Sequence, residues 1–211
     1  MTTYSYDALG REVSQKQNDK EIISKKYDAV SNVVEKTEKG LTTQYRYDAL
    51  KHPVQYLYPS LEDGSMKAIV SVDYDEEGNA VQYKDIYDHV IKREYDANSN
   101  MIAETNSNGF ITRYQYDSLN NMTKVQSPLE RVMKYDYDGN NNLVERSYND
   151  KKATYEYDEA DNLIKEVSEY GLTETYQYDD FGQMTSYTKN DGTTIDYSYD
   201  ALGRKLSEGT R

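Results

Sequence analysis

The dipeptide Tyr-Asp recurs ten times along the chain: Tyr6-Asp7, Tyr27-Asp28, Tyr47-Asp48, Tyr74-Asp75, Tyr95-Asp96, Tyr116-Asp117, Tyr137-Asp138, Tyr157-Asp158, Tyr178-Asp179 and Tyr199-Asp200. Successive anchors are 21, 20, 27, 21, 21, 21, 20, 21 and 21 residues apart. A period of this length marks one supersecondary unit stacked on copies of itself. A second tyrosine stands two residues before the anchor in seven units (Tyr4, Tyr45, Tyr114, Tyr135, Tyr155, Tyr176 and Tyr197), with Lys25, Val72 and Arg93 in the other three. Four residues after the anchor nine units carry Gly, Ser, Asn or Asp, and Asn often follows. Seven residues after it every unit has Val, Ile, Leu or Thr.

Strand, tight turn and strand follow from this pattern. Residues two apart on a strand share a face, so each Tyr-x-Tyr pair points one way and the polar residue between points the other. Gly, Asn and Asp suit the positive backbone angles and local hydrogen bonds of a turn. A loop of four or five residues would place the anchor tyrosine opposite the β-branched residue seven positions on. Asn108-Gly109 and Asp191-Gly192 mark the second turn, which joins one hairpin to the next. The expected fold is therefore all-β: tandem antiparallel hairpins of about 21 residues in one continuous curled sheet, a partial β-shell or barrel-like spiral. Residues 1–211 read as a single array. The stretch 48–73 is a degenerate, longer unit in which Lys51-His52-Pro53 replaces the Gly-Asn turn, and a loop is expected between Tyr58 and Met66 around Asp63-Gly64.

Composition alone would argue against a core. The net charge is −13 and aliphatic residues are sparse, which favours disorder, but 24 tyrosines placed at regular intervals supply apolar area of another kind. No stretch is long and apolar enough for a membrane span, and the amino terminus carries no targeting signal. With no Cys and only His52 and His89, there is no disulfide and no conventional zinc site. Strong net negative charge repels phosphate backbones, so nucleic acid is not expected as a partner. No cofactor is expected.

The pattern Tyr-x-Tyr-Asp-x-x-Gly/Asn-Asn/Arg, clearest at Tyr4-Ser5-Tyr6-Asp7-Ala8-Leu9-Gly10-Arg11 and at Tyr197-Ser198-Tyr199-Asp200-Ala201-Leu202-Gly203-Arg204, resembles the RHS or YD repeat over the whole chain. That family includes bacterial polymorphic and wall-associated toxins, the cocoon subunits of insecticidal toxin complexes, and teneurins. The resemblance implies a strip of hairpins that spirals into a hollow shell around a toxin or effector domain. It also implies a secreted or cell-surface protein, partnered by the rest of the parent shell and its cargo. None of Pro53, Pro59 and Pro128 follows Asp, so the Asp-Pro-x-Gly-Leu kind of self-cleaving segment that ends such arrays is missing, and the chain reads as a piece of a longer array.

The aspartates invite catalytic or calcium readings, notably Asp73 with Asp75 and Asp136 with Asp138. One acid per unit, ten times over, suits turn capping better than an active site, which needs a single unlike constellation. No enzyme is expected. The rival reading is an adhesion module in which exposed tyrosines outside the anchors, with Tyr83, Tyr148 and Tyr187 as glycan contacts, stack on carbohydrate. Unpaired first and last strands would also permit edge-to-edge self-association.

Overall fold

A computed structural model describes residues 1–211 as twenty strands with no helix. Two compact units make up the chain, Met1–Phe110 and Ile111–Arg211. The first holds β1 (Thr2–Tyr6), β2 (Glu12–Gln17), β3 (Lys20–Tyr27), β4 (Val33–Glu38), β5 (Leu41–Tyr47), β6 (Pro53–Pro59), β7 (Met66–Tyr74), β8 (Ala80–Asp85), β9 (Val90–Tyr95) and β10 (Met101–Thr105). The second holds β11 (Ile111–Tyr116), β12 (Met122–Gln126), β13 (Val132–Tyr137), β14 (Leu143–Tyr148), β15 (Lys151–Tyr157), β16 (Leu163–Val167), β17 (Thr173–Tyr178), β18 (Met184–Thr188), β19 (Thr194–Tyr199) and β20 (Lys205–Thr210). Within each unit every strand pairs antiparallel with its neighbours in sequence, giving a ten-stranded meander of tandem hairpins.

The anchor tyrosine ends the first strand of each hairpin. Its Asp opens a five-residue turn in which the Asp N–H donates to the fifth carbonyl and the fourth N–H returns to the Asp carbonyl, as in Asp138 to Asn142 at 3.0 Å and Asn141 to Asp138 at 3.2 Å. The fourth residue takes positive φ in all ten turns, from Gly10 at 76° to Gly203 at 77°. Lys51 adopts φ 71° there, so the Lys51-His52-Pro53 unit keeps the turn geometry although its residues depart from the pattern. The opposite ends are closed by two-residue turns, such as Asn18-Asp19 with φ 49° and 62°, or by the same five-residue turn, as at Asn106–Phe110 and Ser168–Leu172. The one long connection, Ser60–Ser65, lies where Pro59 and Asp63-Gly64 placed it and is closed by Ser60 N–H on the Ser65 carbonyl at 2.7 Å.

The register corrects one expectation. The anchor faces the residue six positions on, not seven: Tyr27 pairs with Val33, Tyr95 with Met101, Tyr137 with Leu143 and Tyr178 with Met184. The residue seven positions on is the extra residue of a bulge that recurs in every hairpin between the anchor and the residue before it. The five-residue turn causes this. It closes on the fifth residue, so the sixth must meet the anchor, and the surplus residue is accommodated as a bulge that increases local twist.

A single-layered sheet buries little. Leu57, Val72, Ala103 and Ala153 are the buried apolar residues, and no large side chain is fully enclosed. In each anchor strand from β5 onward the anchor and the residue two before it, a tyrosine in all but Val72 and Arg93, are half-buried or buried, while the residue between them (Arg46, Asp73, Glu94, Gln115, Asp136, Glu156, Gln177 and Ser198) is exposed. The alternation places both rings of a doublet on one face.

Candidate functional site

The repeated residues form two rows, each with a distinct bonding role. The first is a hydroxyl staple. Tyr27 donates to the Glu12 carbonyl at 2.7 Å, Tyr47 to Val33 at 2.8 Å, Tyr74 to Pro53 at 3.2 Å and Tyr95 to Ala80 at 3.2 Å. In the second unit Tyr137 donates to Met122 at 3.0 Å, Tyr157 to Leu143 at 3.1 Å and Tyr199 to Met184 at 2.8 Å. In all seven cases the acceptor is the residue paired with the preceding anchor, so each tyrosine ties its hairpin to the one before. The bulge matters here, because it disrupts the strand ladder at that residue and the phenol supplies a partner for its carbonyl. Burial pushes the phenols of Tyr47, Tyr74, Tyr137, Tyr157 and Tyr178 above their ordinary pKa.

The second row is the aspartate cap. Asp138 Oδ1 accepts the N–H groups of Asn140 and Asn142, both at 2.9 Å, and its Oδ2 accepts the Asn142 side-chain amide at 3.2 Å. Asp28, Asp96, Asp117 and Asp158 do the same with Asn32, Asn100, Asn121 and Asn162. Arg11 and Arg204 replace the amide with a guanidinium, at 2.7 and 2.6 Å from Asp7 and Asp200. His52 replaces it with a ring, its Nδ1 lying 3.0 Å from Asp48 Oδ2 while the ring stacks on Tyr74 at 4.6 Å. His89 forms the equivalent arrangement on Asp85 at the other end of a hairpin. The donated N–H groups hold these carboxyls below the usual range; for Asp117, Asp138 and Asp200 the backbone N–H of the fifth turn residue is the largest influence. Asp75 accepts from Asn79, Asp73 from Gln82 on the paired strand and Asp138 from its own turn, so three of the four carboxylates considered for calcium are already bonded within their hairpins.

The fifth turn residue also reaches the next repeat. Arg11 donates to the Asp28 carbonyl and to Ser31 Oγ, Asn121 to Asn141 Oδ1 at 3.0 Å, and Asn142 to Asp161 Oδ1 at 2.7 Å. Staple and turn ladder therefore couple the same neighbouring hairpins at two heights. Sequence reasoning placed the turn but missed this coupling, although the recurring Asn, Arg or His after the turn residue was its signal.

The other tyrosines are dispersed. Tyr83 lies across from Val72, with the Arg93 guanidinium 4.6 Å above its ring and donating to its hydroxyl at 3.1 Å. Tyr187 stacks on Tyr176 at 5.2 Å with the rings 9° from parallel, as Tyr56 meets Tyr45 edge-on at 5.6 Å. Tyr176 also donates to Glu174, and burial followed by that carboxylate raises its pKa to about 12. Tyr148 is half-buried on β14, four strands from Tyr187 on β18, so these two proposed glycan contacts do not converge. The open rings are instead Tyr87 and Tyr170, at 77% and 71% exposure, both in turns.

The stacked, mutually bonded hairpins define a YD-type structural repeat. The Teneurin YD-shell family model matches residues 64–209, well over half of the chain. The chain belongs to that family. Among solved structures, the crystal structure of TcdB2-TccC3-TEV is similar with a TM-score of 0.58 at 14% identity, over 98% of this chain and 14% of that one. The crystal structure of TcdB2-TccC3 gives 0.42 at 13% over 100% and 18%, and the Photorhabdus luminescens Tc holotoxin pore 0.41 at 12% over 99% and 17%. The chain thus spans less than a fifth of those solved chains, and at these identities the first likeness is one of fold. No curated protein matches.

Proposed function

We propose that the chain is a non-catalytic length of YD-shell wall, ten repeats acting as one array, which encloses or presents a toxin or effector domain of a larger secreted or cell-surface protein. The carrying observation is the uniformity of the site. The same staple and the same cap recur from hairpin to hairpin, and the side chains that elsewhere do chemistry are consumed in holding turns and neighbours. A wall needs this property, since every hairpin bears the same load, whereas an active site needs one place unlike the rest. Membership of the YD-shell family and the likeness of fold to TcdB2-TccC3-TEV support the reading.

Limited proteolysis of the parent polypeptide tests it. The neighbouring cargo domain is expected to resist protease in the intact protein and to be cut once repeats 111–211 are deleted. Equal cleavage of both would refute the shell role. Reproducible glycan binding lost on Tyr187→Ala would replace it with adhesion.

A further inference from the structure

The ninth turn departs from the other nine at one atom. Elsewhere the Asp Oδ2 is taken by the side chain of the fifth turn residue: Asn at Asp28, Asp75, Asp96, Asp117, Asp138 and Asp158, His52 at Asp48, and Arg11 and Arg204 at Asp7 and Asp200. Asp179 accepts the N–H groups of Phe181 and Gln183 on Oδ1 at 3.0 and 2.9 Å, and its Oδ2 has no partner. The fifth residue here is Gln183, one methylene longer than Asn. Its amide overshoots the cap, and its Oε1 is buried without a partner, 3.6 Å from where a Cβ on Gly203 would stand. The turn Asp179-Asp180-Phe181-Gly182-Gln183 thus carries two carboxylates and no base. An open groove of about 720 Å³ separates it from the tenth turn, lined by Asp179, Phe181, Gln183, Tyr199, Asp200 and Leu202 among others. Both walls are complete turns closed by their own hydrogen bonds, so a further repeat would add beyond the tenth turn and not inside the groove.

The chain itself shows which group fits such a place. In the first turn the Arg11 guanidinium bonds Asp7 Oδ2 at 2.7 Å, donates to the Asp28 carbonyl of the next turn at 3.0 Å and lies over the Tyr27 ring at 4.6 Å. Asp179 Oδ2, the Asp200 carbonyl and the Tyr199 ring are the corresponding groups around the groove, and no guanidinium joins them. We propose that the groove receives an arginine side chain from a basic segment of a partner protein, its guanidinium on Asp179 Oδ2 and the Asp200 carbonyl, over the Tyr199 ring, with Gln183 Oε1 as a further acceptor. The unfilled polar atoms are acceptors, which suits a planar cation with five donors. No group of three His, Asp or Glu stands there to hold a metal ion instead. Phe181 and Leu202, 87% and 79% exposed at the turn tips, cover the aliphatic stem of the guest. The net charge of −13 draws a basic segment in at long range. The proposal rests on the cap and not on the shell role, so either can fail alone.

The probe is the peptide acetyl-Gly-Ser-Arg-Ser-Gly-amide, compared with its citrulline counterpart, which has the same shape and no charge. Nitrogen–proton NMR spectra of the labelled chain are followed at about 0.15 M salt, where diffuse attraction is screened. The arginine peptide should give saturable shifts confined to residues 179–183 and 199–203, and the citrulline peptide should bind about tenfold more weakly or less. Gln183→Asn is the decisive variant. Its shorter amide fills Asp179 Oδ2 from within, so the chain should unfold at higher urea while peptide binding falls about tenfold or more. Gln183→Arg, which sets a guanidinium where Arg11 has one, should also abolish binding. Asp191→Asn removes one charge in the turn between β18 and β19 and should leave binding unchanged. Shifts spread over the acidic surface, equal binding of the citrulline peptide, undiminished binding by Gln183→Asn, an equal loss in Asp191→Asn, or no saturable shift would each overturn the proposal.

Discussion

Replacing Tyr157 by Phe removes one hydroxyl and leaves the ring. The Tyr157 hydroxyl donates to the Leu143 carbonyl at 3.1 Å across the junction of two hairpins, and both groups are part-buried. A net intramolecular hydrogen bond contributes about 0.5–1.5 kcal/mol, and the stranded carbonyl keeps the loss near the middle of that range, about 1 kcal/mol. Tyr157→Ala also surrenders ring burial. A tyrosine of roughly 150–250 Å², mostly covered at this position, at about 25 cal/mol per Å², adds about 3–5 kcal/mol. Urea unfolding followed by circular dichroism reads both. With a slope of about 1–3 kcal/mol per molar, Tyr157→Phe should lower the midpoint by about 0.3–1 M. Tyr170→Phe is the control: its ring is 71% exposed beneath Lys151, no carbonyl accepts its hydroxyl, and the change should stay within about 0.5 kcal/mol. Equal shifts for Tyr157→Phe and Tyr170→Phe would refute the staple as an energetic link.

Lys51→Gly should stabilise by about 1 kcal/mol in the same urea assay, because Lys51 holds φ 71° with a Cβ that this conformation disfavours. Gln183→Asn should also stabilise, by about 1 kcal/mol: Gln183 Oε1 is buried without a partner, where six other repeats have an asparagine bonded to the cap. Gly78→Ala should cost more than Gly171→Ala. Both have positive φ, but an added Cβ at Gly78 lies 3.1 Å from His52 Nε2 and must displace that ring from Tyr74, while Gly171 faces open space. Alkali should unfold the array. Folded phenols hold their protons above the ordinary pKa near 10, chiefly through burial, so the stability they contribute is complete below that pH and is lost as pH rises through the folded value, about 12 for Tyr176. Phenolate absorbance should therefore rise in two phases, the later one together with loss of circular dichroism, and a single phase near the ordinary value would contradict the burial.

Strand order, turn positions and the shared face of the doublets could be read from sequence because each is a local pattern. Period two places Tyr155 with Tyr157, and Gly, Asn or Asp after the anchor meets a backbone angle that few residues accept. Register escaped by one residue because it depends on where the turn closes. The Asp138 cap fixes closure at Asn142, and the surplus residue, Val144, becomes a bulge. The staples depend on that bulge, so they escaped with it. The glycan candidates were chosen for lying outside the anchors, yet Tyr83 and Tyr187 stand across the strand from Val72 and Tyr176, where cross-strand pairing engages them. His52 looked like decay in the pattern. It performs the asparagine's task with a ring, an equivalence of hydrogen-bonding geometry that residue type conceals.

The central claim is that the ring of a stapling anchor crosses to the preceding hairpin and bonds its bulge. Proton–proton Overhauser spectra of the folded chain test it most directly. Contacts from the Tyr157 ring to Leu143 and from the Tyr137 ring to Met122 are expected, with Tyr157 facing Leu163 across its own hairpin. Ring contacts confined to Ile164 and the tyrosine's own turn, with none to the preceding hairpin, would contradict it.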